Sequence, residues 1–353
     1  MAPSAVGRRL ERGVERACAA DGDARTLQKD VLAVLAAAVR VDAYAFVLTD
    51  PETSVGSAPL ADVPSMAELP RLIRLRYLTP VNRWTSLVEP PVAVLSDVTG
   101  GDLGRSLVWR ELLRHHGVSD VATAVFRDRH GCWAFLDLWR TDGRTFSPAE
   151  AAAVAQVVPP VTTALRERVA RAFPLVPAGR VPAPGPLVLL LTPELDVVHR
   201  TPGTDEALRR LLPRGDGRPP VPAGAYNVAA QLLAVEEGVD DAPPTARVHL
   251  AAGSWLTFRA ARMDDGDSAA HADIAVTIEV CPPAERLSLF VRAAGLSPRE
   301  GALLGHLATG VDSRDLADRM HLSVNTVQDH LKSVFGKTGT RTRRALLARV
   351  LGG

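Results

Sequence analysis

The sequence predicts an α+β protein whose carboxyl-terminal part is entirely α-helical, and three observations support this prediction. Strand-like and helical segments alternate through most of the chain, as expected of helices packed beside antiparallel sheets. Proline-rich stretches interrupt this alternation and divide the chain into blocks. Beyond the last of these stretches the apolar residues recur only at helical spacing, so we expect no strand there.

Length and composition indicate a globular protein with more than one domain. The chain has 353 residues, of which 46% are hydrophobic and 23% charged, so it is too long for one core and too apolar for a disordered protein. Its three cysteines lie far apart without a Cys-x-x-Cys pair, which excludes a disulfide scaffold and argues against a cysteine zinc site. We accordingly expect no metal and no cofactor.

No segment has the properties of a membrane span or a secretory signal. The longest uninterrupted apolar run is Val31–Val39, whereas a membrane-spanning helix needs about 20 residues. The amino terminus carries Arg8, Arg9, Glu11 and Arg12 and has no apolar stretch behind a basic start. We therefore expect a soluble, cytoplasmic protein without a membrane partner.

Two proline-containing stretches mark the predicted domain boundaries. Phe173–Pro186 contains five prolines and two glycines, which forbid a helix and predict a semi-rigid linker. A second hinge is expected at Cys281-Pro282-Pro283. The predicted organisation is one domain over residues 1–172, the linker over 173–186, a second domain over 187–283 and a third over 284–353.

Both amino-terminal blocks combine helices and strands. In the first block we predict a helix at Leu27–Val39, a strand at Ala43–Leu48, and strands at Val121–Phe126 and Trp133–Trp139 joined by a longer hairpin loop. A further helix is predicted from Pro148 toward Arg171, and Pro159-Pro160 should kink or split it. In the second block we predict strands at Leu187–Leu191, Val197–His199, Arg247–Leu250, Trp255–Arg262 and Ile274–Val280, and helices at Thr204–Leu212 and Ala225–Glu236.

The last block contains start signals for consecutive helices. After a connecting helix at Ala284–Ala294, Ser297 and Glu300 form a capping-box pattern. Asp312 and Ser323 are in position to cap the next two helices. We therefore expect several short helices joined by tight turns.

The third helix of this series has one apolar and two polar stripes. The apolar stripe consists of Val324, Val327, Leu331, Val334 and Phe335. The polar stripes consist of Asn325, Gln328, Asp329 and Lys332, and of Thr326, His330, Ser333 and Lys337. Amides, hydroxyls and lysines are the groups that contact base edges and phosphates, so these stripes predict DNA contacts in a major groove.

Positive charge is concentrated in the same region. From Ser323 onward there are six Lys and Arg residues and one acid, a net charge of +5; the whole chain has +1, so the preceding residues sum to −4. A basic segment that follows a slightly acidic remainder of the chain is typical of one nucleic-acid-binding module attached to a domain that does not bind nucleic acid. The fourth helix begins Thr342-Arg343-Arg344. The helix dipole disfavours cations at this end of a helix, whereas a bound phosphate would be attracted to them and to the free backbone N–H groups.

From Leu296 onward the sequence resembles the LuxR/GerE family of helix-turn-helix domains. The matching features are the opening LSPRE, Gly310, the segment SVNTVQDHLKSVFGKTG and the final TRTRR. The resemblance implies a four-helix module whose third helix enters the major groove and whose fourth helix joins two protomers. The predicted DNA-binding residues are Asn325, Thr326, Val327, Gln328, His330, Lys332, Lys337, Arg343 and Arg344.

The upstream blocks resemble sensor domains. Leu27–Arg171 is similar to a GAF domain and Leu187–Val280 to a degenerate PAS domain. The whole chain is therefore interpreted as a transcriptional regulator that responds to an unidentified signal. Its expected partners are a double-stranded DNA operator, a second copy of the chain, a small-molecule ligand in the GAF-like domain and RNA polymerase.

Other interpretations remain open. Short motifs of hydrolases, NTPases and dinucleotide enzymes are absent, so we do not expect an enzyme, although a sensor block with hidden hydrolase activity is an alternative. A second alternative is a regulator that is controlled by protein contacts and has no small-molecule ligand. His115-His116 is interpreted as a polar helix end rather than a haem ligand, Gly100-Gly101 as a turn, and Cys132 as a core residue.

Overall fold

The computed structural model describes residues 5–174, 185, 187–211, 221–251, 254–263 and 272–352. In chain order, the first part consists of α1 (Ala5–Ala19), α2 (Ala24–Ala36), β1 (Ala43–Thr49), β2 (Gly56–Asp62), α3 (Leu69–Leu78), β3 (Val92–Val94), α4 (Leu95–Thr99), α5 (Leu107–Glu111), β4 (Asp120–Asp128), β5 (Gly131–Arg140) and α6 (Pro148–Arg171).

The second part consists of β6 (Leu187–Leu191), β7 (Val197–Arg200), α7 (Thr204–Leu211), α8 (Ala223–Glu236), β8 (Thr245–Ala251), β9 (Ser254–Arg262) and β10 (Ile274–Val280). The third part contains the helices α9 (Pro283–Ala293), α10 (Pro298–Ala308), α11 (Ser313–Met320), α12 (Val324–Thr338) and α13 (Arg343–Leu351). The predicted α+β class with an all-α carboxyl-terminal part is confirmed.

The two five-stranded sheets have the same strand order, although no repeat is visible in the sequence. The orders are β2-β1-β5-β4-β3 and β7-β6-β10-β9-β8, so in each sheet the last strand lies between the first and the fourth. In the first sheet β5 pairs antiparallel with β1 and β4, which places Leu136 opposite Phe46 and Ala124. These three side chains are fully buried, so the core lies along the central strand.

Most predicted strands are confirmed, and β6 and β10 match residue for residue. The hairpin between β4 and β5 is tighter than predicted, because only Arg129-His130 connect the strands. Gly131 has a φ of +146°, and a Cβ atom there would lie 2.2 Å from the backbone oxygen of Pro51. Only glycine fits this position, which lets β5 begin immediately after the turn.

α6 is one continuous helix of 24 residues, so of the predicted kink or split at Pro159-Pro160 the split does not occur. A proline removes one hydrogen bond to the carbonyl four residues earlier. Both prolines lie on the exposed side of α6, where water can satisfy the carbonyls that lose these bonds. The helix therefore continues past them.

Three local interpretations of the first part are confirmed. His115-His116 ends a short 3₁₀ helix before Gly117, and Nε2 of His116 lies 2.5 Å from a carboxylate oxygen of Glu68. Gly100-Gly101 follows α4 with positive φ values of 64° and 87°, as expected of a turn. Cys132 is buried, and this burial raises the pKa of its thiol.

The described part of the chain divides into two compact units. The first, here called the sheet unit, draws on residues 1–165, 184–248 and 257–279 and contains most of both sheets. The second, here called the carboxyl-terminal unit, draws on residues 166–183, 249–256 and 280–353. Of the predicted linker, residues 175–184 and 186 lie outside the described residues, and the separate folding of the two amino-terminal blocks stays a prediction.

A buried ion pair joins the two sheets inside the sheet unit. Asp50 follows β1 and accepts hydrogen bonds from Nε and Nη2 of Arg247 on β8, both at 2.6 Å. The backbone N–H of Arg247 donates to the same carboxylate at 2.8 Å. Neither side chain is more than 5% exposed, so each charge is compensated by the other away from water.

Among the described helices, none has the length and apolar character required to cross a bilayer.

Replacing Asp50 tests how strongly this pair holds the sheet unit together. We expect Asp50→Ala to lower the free energy of unfolding by about 3–5 kcal/mol, because Arg247 is left with a buried, weakly compensated charge. Urea unfolding of the full chain measures the change. Glu52→Ala is the matched control: Glu52 also pairs with Arg247, at 2.9 Å, but its side chain is 43% exposed, so the expected loss is at most about 1 kcal/mol. Equal losses of unfolding free energy in the two variants would show that Asp50 is not the main partner of Arg247.

Candidate nucleic-acid interface

The helices α10, α11 and α12 pack around one small apolar core. Its buried members are Leu303, Leu307, Leu316, Ala317, Val327 and Leu331. α11 is followed by His321, which adopts a left-handed conformation with φ 52°, and the N–H of Leu322 donates back to the carbonyl of Ala317 at 2.9 Å. This tight turn directs the chain into α12 and produces a helix-turn-helix.

Local hydrogen bonds fix the start of each helix. Ser297 and Glu300 form the predicted capping box at α10, and Asp312 accepts from the N–H groups of Arg314 and Asp315 at the start of α11. Ser323 accepts from the N–H of Thr326 at 3.1 Å. The predicted caps are therefore confirmed, and Thr342 plays the same role for α13.

α12 buries one side and exposes the other, as the sequence predicts. Val327, Leu331 and Val334 are fully or almost fully buried, whereas Val324, which belongs to the predicted apolar stripe, is 44% exposed. Val324 lies in the first turn of the helix, beyond the end of the core. At the other end, Thr338 is buried although it was not part of the predicted stripe, and it donates to the carbonyl of Val334.

The exposed side of α12 presents Asn325, Gln328, Asp329 and Lys332, which together are called the recognition face below. Two amides and one ammonium group can donate to base edges, and the amides and the carboxylate can accept. Thr326 and His330, which were also predicted to contact DNA, are half-buried beside this face.

Val327 differs from the other predicted site residues. Its side chain has no exposed surface and belongs to the core between α10, α11 and α12. It therefore holds α12 against this core, and it does not lie on the surface of the domain.

A buried carboxylate connects α10 to the second polar stripe of α12. Glu300 is 3% exposed. Its carboxylate accepts hydrogen bonds from Oγ of Ser333 at 2.6 Å, from Nζ of Lys337 at 2.7 Å and from the N–H of Ser297 at 2.6 Å. Burial opposes ionisation, but these donors outweigh it and lower the pKa of Glu300 to about 2. The capping box was visible in the sequence, whereas the contacts with α12 depend on tertiary packing.

The start of α13 carries the remaining predicted cations. The guanidinium of Arg343 donates to Oγ of Ser313 on α11, and the side chain is half-buried. Arg344 is exposed. Both lie in the first turn of α13, where free backbone N–H groups favour an anion.

Comparison with known proteins identifies this region. Residues 294–350 match the family model described as bacterial regulatory proteins, luxR family. The chain is 40% identical over 57 residues to a probable HTH-type transcriptional regulator GfsR of Streptomyces halstedii, a match that covers 16% of this chain and 24% of that protein. The chain thus matches about a quarter of the length of this curated relative.

Two solved structures of SdiA align with nearly the whole chain at low similarity. Escherichia coli SdiA aligns at 12% identity with a TM-score of 0.36, over 97% of this chain and 96% of that one. SdiA in complex with octanoyl-rac-glycerol aligns at 11% identity with a TM-score of 0.37, over 100% and 97%. The family model covers residues 294–350, and the helices in this range form a luxR-family helix-turn-helix domain.

The role of Glu300 predicts a specific dependence of stability on pH. Its folded pKa of about 2 lies below the ordinary value of 4.5. The stabilisation is therefore complete above pH 4.5 and is lost as the pH falls from 4.5 toward 2. We expect Glu300→Gln to destabilise the full chain by up to about 3 kcal/mol at pH 7, and the difference from the unmodified protein to shrink near pH 3.

Urea unfolding at pH 7, 5 and 3 measures this difference. Lys332→Ala is the control, because Lys332 lies on α12, the helix that Glu300 contacts, but is 78% exposed, so its loss should change stability little at any pH. A pH-independent difference for Glu300→Gln would refute the role given to the ionised carboxylate.

Proposed function

We propose that the protein is a DNA-binding transcriptional regulator that places α12 in the major groove of its operator. The observation that carries this proposal is the recognition face. Four polar side chains project from a helix whose opposite side is fixed in a core, in a segment with a net charge of +5. A helix of this kind fits the width of the major groove and can exchange hydrogen bonds with base edges there.

Some of the exposed residues suit contacts with bases, and others suit contacts with phosphates. Asn325 and Gln328 present amides that match the N6 and N7 atoms of adenine, and Lys332 can reach guanine or a phosphate. Arg343 and Arg344 lie at the amino terminus of α13, where they fit a phosphate. Lys337 shares one of its three N–H donors with Glu300, so two donors remain for a phosphate.

A two-fold operator would be bound by two copies of the chain. Leu346 and Val350 of α13 are fully buried within one chain. A dimer contact through α13 would therefore use its half-buried residues, Leu347 and Leu351. The small-molecule ligand of the GAF-like domain and the contact with RNA polymerase stay predictions.

We propose that the sheet-containing part of the chain controls DNA binding, and contacts within the carboxyl-terminal unit support this. Phe173 follows α6 and is fully buried, with its ring 5.2 Å from that of Trp255 and 5.1 Å from that of Phe290. Arg349 of α13 donates to the carbonyls of Phe173 at 2.8 Å and Ala170 at 3.0 Å. The end of α6 is thus bound to the last helix of the DNA-binding domain.

The connector helix α9 is also bound to α13. Nε of Arg286 donates to the carbonyl of Val350 at 2.7 Å, and its guanidinium lies 4.8 Å from the ring centre of Phe173. α9 corresponds to the connecting helix predicted at Ala284–Ala294, which leads along the chain from the second block to the DNA-binding helices. The contacts of Phe173 add the end of α6 as a second route.

Two variants test the proposed division of contacts. Gln328→Ala should lower affinity for the operator by about 1–3 kcal/mol and change binding to random DNA little, because only an adenine contact is lost. Arg344→Ala should weaken binding to both and reduce the slope of log affinity against log salt by about one unit. Fluorescence anisotropy with a duplex selected from a random pool and with a scrambled duplex, at two salt concentrations, measures both effects.

The two variants serve as controls for each other. If Arg344→Ala changed sequence preference while Gln328→Ala weakened all binding uniformly, the assignment would be reversed. If the unmodified protein bound no duplex in a salt-sensitive manner, the proposed function would be wrong.

A further inference from the structure

The recognition face carries an acid in a region that is otherwise basic. Asp329 is the single Asp or Glu after residue 322, where six Lys and Arg residues occur. Its side chain is 75% exposed, and its carboxylate lies 3.3 Å from Nζ of Lys332. A carboxylate here repels phosphates and so weakens the attraction of the helix to any DNA. A contact with a base edge would offset this repulsion.

Asp329 and Lys332 form a complementary pair of groups. The carboxylate only accepts hydrogen bonds, and the ammonium only donates them. In the major groove, cytosine presents the N4 donor and its partner guanine presents the acceptors O6 and N7. N4 and O6 are hydrogen-bonded to each other and are therefore about 2.9 Å apart. This separation is close to the 3.3 Å between the Asp329 oxygen and the Lys332 nitrogen.

We infer, on the basis of the proposed function, that Asp329 and Lys332 jointly read one cytosine–guanine pair and that Asp329 determines specificity at that position. Asp329 accepts from N4 of the cytosine, and Lys332 donates to O6 or N7 of the guanine. Exchanging the two bases brings O6 against the carboxylate and N4 against the ammonium, so both contacts become repulsive.

An adenine–thymine pair fits less well. Adenine N6 could donate to Asp329, but thymine then offers one acceptor, O4, beside its methyl group. The ammonium of Lys332 would lose the adjacent acceptor pair that guanine provides and would contact an apolar group. The pair of side chains therefore favours cytosine–guanine in one orientation over the exchanged pair and over this adenine–thymine pair.

Selection of random duplexes with the full chain tests this inference. The unmodified protein should enrich sequences with a fixed cytosine–guanine pair, and exchange of its two bases should weaken binding roughly tenfold or more. Asp329→Ala should lose this preference while its affinity for random DNA rises, because a negative charge is removed. Asp329→Asn should shift the preference at this position toward adenine, the base that an asparagine amide matches. Lys332→Ala should lose the same preference and bind all DNA more weakly.

Asp318→Ala is the matched control, because Asp318 is an exposed acid on α11, outside the recognition face. It should raise the affinity for random DNA without changing the selected sequence, and circular dichroism should show native helix content in all four variants. Identical selected sequences for Asp329→Ala and Asp318→Ala would overturn the inference and leave the proposed function intact. Absence of salt-sensitive binding by the unmodified protein would instead refute the proposed function, and this inference with it.

Discussion

The orientation of α12 depends on the buried carboxylate of Glu300. Within α10 it completes the capping box with Ser297, and across the domain it receives Ser333 and Lys337 of α12. Leaving a buried carboxylate without partners is unfavourable by several kcal/mol. α12 therefore cannot rotate about its axis or slide along α10 without losing this compensation. The apolar stripe holds α12 against the core, and Glu300 determines which polar residues remain exposed.

Arginines bound to helix ends perform a similar role on the other side of the domain. Arg286 donates to the last turn of α13, and Arg349 of α13 donates to the last turn of α6. Carbonyl groups at the end of a helix have no partners within the helix and attract cations. Phe173 covers these contacts with an aromatic ring, so the polar groups lie beside an apolar cluster. The DNA-binding helices are thereby held by residues distant from them in the chain.

The sequence predicted the elements whose signals are local. Caps involve residues two or three positions apart, and the burial of Val327, Leu331 and Val334 follows from helical spacing. Other elements were missed because their composition conceals them. β2 contains Pro59, which is typical of a loop, but it is an edge strand, where a missing N–H is tolerated. α1 is rich in charged residues, and only its buried side, with Leu10 and Val14, shows a helical pattern.

The sequence by itself determined the fold class, the helix-turn-helix and the polar residues of α12, because these depend on periodicity and on contacts between near neighbours. Tertiary structure alone decided that Lys337 is paired with Glu300 and that Asp50 is paired with Arg247. It also decided that Phe173, at the start of the predicted linker, is buried against Trp255 and Phe290. In each of these contacts the partners are far apart in the chain. Their meeting depends on how the helices and sheets pack, and no local pattern encodes that arrangement.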